Sequence, residues 1–107
     1  MRTHQEVDAR SLALHRLVAI ETRRDPRRLN AAKATLARWR STVCASSQPY
    51  LAEWERLMNL GMEVCLDFAS EDSEWATAMR QCSPLACTLT NQERFAFLKK
   101  WQLDHAT

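Results

Sequence analysis

Four arginines crowd one corner of the chain: Arg23, Arg24, Arg27 and Arg28, set around Asp25-Pro26. Each guanidinium offers a planar fork of donors that fits a carboxylate or a phosphate. The cluster therefore reads as a contact surface for an acidic protein partner or for nucleic acid. The plainer alternative is a solvated loop, favoured by the negative end of the preceding helix. Arg16, Arg38 and Arg40 extend the patch if the first two helices pack as a hairpin. We count Arg80 with the four as a fifth candidate contact residue.

The remaining chemistry-bearing side chains name no reaction. His15 has no partner nucleophile in the sequence and reads as a flank residue with one ring nitrogen satisfied. Glu71, Asp72 and Glu74 could act in acid–base work or hold magnesium, but the positive end of a helix already accounts for them. Cysteines stand at 44, 65, 82 and 87. Only Cys82 and Cys87 approach zinc-ligand spacing, Pro84 interrupts them, and no histidine is near. They read as reduced and mostly buried thiols, which behave as small hydrophobes. Gly-rich phosphate loops, nucleophile elbows and His-Glu-x-x-His helices are missing. No catalytic residue, metal or cofactor is expected.

These side chains must be positioned by helices. The chain has a single glycine, Gly61, among 107 residues, where an average protein has about 7%. Sheets and hairpins draw on glycine at turns and bulges. The first helix is predicted from Gln5 to Arg24, with Val7, Ser11, Leu14 and Val18 on one seam. Asp25 as N-cap and Pro26 at the first helical position open the second. Its residues Leu29, Ala32, Leu36, Trp39 and Val43 repeat in steps of three and four, which suits a hairpin against the first helix. Ala45 to Pro49 is the clearest loop. A third helix carries Tyr50, Leu51, Trp54, Leu57 and Met58, with Gly61 as a candidate terminator. Met62–Ala69 reads as a buried helical segment. A helix through Trp75, Met79 and Cys82 stops before Pro84, and Leu85–Leu89 connects. Thr90 and Glu93 fit a capping box for a last helix bearing Phe95, Leu98 and Trp101. The expected fold is all-α: one compact domain over residues 1–107, with five or six short helices opening on a helical hairpin.

Charge is unevenly spread. Residues 1–56 carry +5 and residues 57–107 carry −3, an asymmetry that suits oriented docking on a charged partner. The four tryptophans each fall on an apolar stripe, so core packing is their default; any left exposed would favour a protein interface. No apolar run approaches the roughly 18 residues of a membrane span, and the polar start has no signal-peptide core. A cytoplasmic location without membrane contact is expected.

Three stretches carry a resemblance. They are Ser11-Leu12-Ala13-Leu14-His15-Arg16, Tyr50-Leu51-x-x-Trp54-Glu55, and a third run. That run reads Glu71-Asp72-Ser73-Glu74, Met79-Arg80-Gln81-Cys82-Ser83-Pro84-Leu85, then Leu89-Thr90-x-x-Glu93-Arg94-Phe95. Together they resemble a group of small, poorly characterised bacterial all-helical proteins that look like antitoxin-type partners encoded beside a toxin. The resemblance spans most of the chain and brings no catalytic residues. The group tends towards Ser-Pro-Phe, a small residue and Gly, where this chain has Leu85-Ala86-Cys87 after Pro84. The resemblance implies a non-catalytic protein acting on a protein partner or as a homo-oligomer, antitoxin-like or regulatory. Nucleic-acid binding through Arg23–Arg28 is the alternative.

Overall fold

Thr3 opens the first helix with a capping box: its hydroxyl accepts from the Glu6 amide, and the Glu6 carboxylate accepts from the Thr3 amide. The structure, a computed structural model, describes residues 3–106. Helix α1 (His4–Arg24) runs from this cap to the arginine corner. Asp25 closes α1, and Pro26 sits in right-handed helical geometry just before α2 (Arg27–Thr42). The expected Asp25 cap is thus displaced by one position, but its Oδ1 still accepts the Arg27 amide at 3.3 Å.

The segment Ala45–Ser47, expected as loop, is a 3₁₀ turn that runs directly into α3 (Gln48–Leu60). The Gln48 side chain donates back to the Trp39 and Val43 carbonyls, closing the open end of α2. Gly61, at φ 130° and ψ 161°, separates α3 from α4 (Met62–Ala69). That backbone region is open essentially to glycine alone. A Cβ there would meet no atom within 4 Å, so the constraint is conformational, not steric.

Ser73 caps α5 (Glu74–Arg80), accepting from the Ala76 amide. A 3₁₀ turn over Pro84–Thr88 follows, then α6 (Asn91–Asp104), opened by the expected Thr90–Glu93 capping box. Among the described residues there are six α-helices and no strand. None of the helices is long and apolar enough to cross a membrane.

The core is built from one stripe of each early helix: Val18 and Ala19 of α1, Leu29, Ala32 and Leu36 of α2, Leu51, Trp54, Leu57 and Met58 of α3, and Cys65, Leu66 and Ala69 of α4. Met79, Leu85 and Leu89 complete it. Helix α2 spends its apolar stripe mainly on α3 and on the 84–88 turn. Trp54 is the keystone: its indole N–H donates to the Met79 carbonyl at 2.9 Å, and Phe68 meets it edge-on. Helix α6 differs from the rest. It contributes no buried side chain, because its apolar residues spread around the whole circumference instead of forming a stripe.

Candidate functional site

The arginine corner is held by the protein's own carboxylates. Arg23 reaches from α1 to α4, donating to Glu63 at 3.0 Å and to Asp67 at 3.0 Å. Arg24 pairs with Glu21 one turn back, and Arg27 with Asp25 beside it. Arg28 makes the tightest link: it donates from both terminal nitrogens to Glu93 at 2.9 and 2.8 Å, and to the Thr88 carbonyl at 3.1 Å. The Arg28 guanidinium, helped by the Thr90 amide, holds the Glu93 carboxyl down at about 2. So Arg23 and Arg28 are stitches between helices. Only Arg24 and Arg27 keep largely exposed side chains, each with a local partner.

Arg80 is corrected outright as a surface residue, being 5% exposed. Its guanidinium donates to the carbonyls of Ala69 and Glu71 and to the Thr77 hydroxyl. It serves the open C-terminal carbonyls of α4, which need donors once buried. Burial pulls its pKa below the ordinary arginine value. Arg40 lies near Gln48 and Glu55, away from the corner, and Arg38 bonds Thr35 within its own helix.

His15 sits beside the α1 seam with one ring nitrogen satisfied, as expected, but it is enclosed. It is 1% exposed; its Nδ1 lies 2.8 Å from the Ser11 carbonyl, and Nε2 is buried without a partner. Helix α1 is covered by α4, α5 and the 84–88 turn, so a position beside the seam is also enclosed. Burial drives the His15 pKa down to about 4; the Ser11 bond opposes this and the nearby Arg80 charge adds to it.

The cysteines are all free, and their expected burial holds only in part. Cys65 is buried and Cys82 half-buried, but Cys44 and Cys87 are exposed. The Cys44 thiol accepts from, or donates to, the Ser46 hydroxyl at 3.3 Å, and that contact together with Ser47 lowers its pKa. Burial raises Cys65 to about 12. Among the described residues no three His, Cys, Asp or Glu side chains come together as a metal site. Glu71 bonds the Ser73 hydroxyl at the α5 cap, in line with the structural reading of that acidic cluster.

What sequence reasoning missed is a groove between α1 and α6. It encloses about 600 Å³, with Ala13, Leu17 and Ile20 on one wall and Ala96, Phe97 and Trp101 on the other. Arg16 and Lys100 stand at its sides, with Asp104 and His105 at the end where α6 finishes. Trp101 is sandwiched in a short aromatic row, 6.2 Å from Phe97 and stacked on His105 at 3.6 Å. Glu21 and Glu93 line the other end but are engaged by Arg24 and Arg28. The groove exists because α6 is anchored only at its start. Its anchors are the Thr90 cap, the Arg28–Glu93 fork and the Arg94 bond to the Ala86 carbonyl.

The surface adds further open apolar groups. Ile20 on the groove wall is 49% exposed and Phe95 on the far side of α6 is 73% exposed. Trp75 is 51% exposed, its ring 5.8 Å from Tyr50. Of the four tryptophans, Trp54 is fully buried, Trp39 packs half-buried against the core, Trp101 lines the groove and Trp75 lies at the surface. The aromatic spacing of α6 was the available signal for the groove, since Phe95, Phe97 and Trp101 cannot all face one neighbour. Comparison with known proteins finds no family model, no curated protein and no solved structure that matches this chain.

Proposed function

We propose that this chain is a non-catalytic, cytoplasmic bacterial protein that works by protein–protein interaction, as an antitoxin-like or regulatory partner. The observation that carries this reading is the α1–α6 groove. Its bed is apolar, its walls include Phe97 and Trp101, and helix α6 has no fully buried side chain, with Phe97, Leu98 and Trp101 only half-buried. Exposed apolar surface of this kind, rimmed by polar side chains, is what protein interfaces use. Aromatic and arginine side chains also dominate interface energetics. The exposed Trp75 beside Tyr50 supports the same reading, and the resemblance to antitoxin-type proteins supplies its narrower form.

The nucleic-acid alternative draws less support, because Arg23, Arg24, Arg27 and Arg28 already face carboxylates of this chain. Titration with generic DNA at two ionic strengths separates the two readings. Phosphate-driven affinity falls steeply with salt, and no binding at low salt removes the alternative.

The proposal is tested by in-cell crosslinking of the tagged chain in its host, with the wild type compared with Ile20→Glu. The expected result is a stoichiometric protein held by the wild type, whether another chain or a further copy, and lost in the variant. A wild type that yields neither partner nor oligomer overturns the reading.

A further inference from the structure

We infer that the occupant of the α1–α6 groove is a second copy of this chain, related by a two-fold axis, so that each copy's α6 closes the other's groove. This rests on the reading of the groove as a protein-contact surface and names what fills it.

The exposed surface is larger than the mass of the chain requires. The chain exposes 6915 Å². A folded monomer of its 12.4 kDa mass exposes about 6,100 Å². The chain therefore leaves about 800 Å² more surface open than its mass requires. Of the exposed large apolar side chains, Ile20 stands on the groove wall, 49% exposed.

A two-fold interface must be complementary to itself, with residue i meeting j and j meeting i. Arg16, Lys100 and Asp104 line the groove, and none has an ion-pair partner among the described residues. Lys100 and Asp104 are one turn apart on the same face of α6. Two antiparallel copies of that helix bring Lys100 of each beside Asp104 of the other and place the two Trp101 rings between them. A groove meant for a strongly acidic or strongly basic partner would show one sign; this one shows both.

Isolated helices shorter than about 12–15 residues are marginal in water, and α6 has 14 residues with none buried. The Thr90 cap and the Arg28 fork hold its first turn. In its last two turns, from Lys99 on, only Trp101 is half-buried; Lys99, Lys100, Gln102, Leu103 and Asp104 are exposed.

Sedimentation velocity on the purified chain across a wide concentration range tests the inference, with circular dichroism confirming that each variant keeps its fold. Ile20 and Lys100 are both exposed, so their replacement leaves the core intact. The wild type is expected to form a dimer. Ile20→Glu weakens it by about tenfold or more. Lys100→Glu weakens it by about two- to fivefold, and adding Asp104→Lys to that variant restores it, because the pair is then reversed in both copies. A wild type that stays monomeric overturns the inference, as does a dimer indifferent to both single variants. If the monomer instead holds a different protein that Ile20→Glu releases, the second copy is wrong while the groove still stands as a protein-contact surface.

Discussion

His15 gives the protein its clearest pH signature. Its pKa is lowered to about 4 in the folded chain, against about 6.5 when unfolded. The folded state therefore binds fewer protons between those values. The stability that His15 contributes is fully present above pH 6.5 and is lost as pH falls towards 4. The loss reaches at most roughly 3 kcal/mol, because each tenfold change in proton affinity is worth about 1.4 kcal/mol. Urea unfolding followed from pH 7 to pH 4 should show this decline, and His15→Asn should flatten it. An unchanged slope in the variant would assign the decline to other groups. Glu93 acts in a lower window: its depressed pKa of about 2 contributes stability above about 4.3 that is lost as pH falls through 2. The thiols provide an independent check on burial. Thiolate is the reactive form, so a maleimide should label Cys44 and Cys87 in the folded protein and Cys65 only after unfolding. Labelling of Cys65 at the rate of Cys44 would contradict its enclosure. Neither His15 nor Arg80 could be placed from sequence, because each is buried by elements distant in the chain. A helical wheel shows which face is apolar, and it is silent on which flank a neighbour will cover.

Local sequence was most legible at the ends of elements. The Thr90–Glu93 box and the Met62–Ala69 segment follow from side chains within a few residues of each boundary, whereas the helix expected through Cys82 already ends at Arg80. Thr3 and Glu6 repeat the same box spacing and the signal was there to be read. Gly61→Ala tests the one glycine. Its φ of 130° should make the replacement cost about 1–3 kcal/mol, even though the new methyl group meets open space. A neutral result in thermal unfolding would mean that the α3–α4 junction relaxes freely. At the other joint, Arg28→Ala should cost roughly 1.5–3 kcal/mol, the worth of charge-assisted hydrogen bonds. Its larger consequence should be freer motion of α6, seen as faster amide exchange over Asn91–Asp104. The Gln48 closure of α2 is the kind of contact that sequence spacing does not reveal, since an amide side chain has no fixed capping pattern.

Over the whole molecule, the all-α bundle was legible and the α1–α6 groove was not. The scarcity of glycine and the three-four spacing settle helices without knowledge of how they meet. The arginine corner drew notice because its residues are adjacent in sequence, yet adjacency also lets Asp25 and Glu21 answer Arg27 and Arg24 locally. The groove joins Ala13–Glu21 to Glu93–His105, segments separated by most of the chain. It forms only once α6 is placed against α1. The charge asymmetry between the halves is in part consumed by the same folding, since Arg23 meets Glu63 and Arg28 meets Glu93. What stays open at the groove is apolar and aromatic surface with Arg16, Lys100 and Asp104 beside it. We propose that the protein contact runs through the α1–α6 groove and not through the arginine corner. Hydrogen exchange, compared between the associated and the dissociated protein, tests it most directly. Exchange should slow on association along residues 13–21 and 93–105, with residues 23–28 unchanged. Slowing centred on Arg23–Arg28, with the groove segments unaltered, would contradict it.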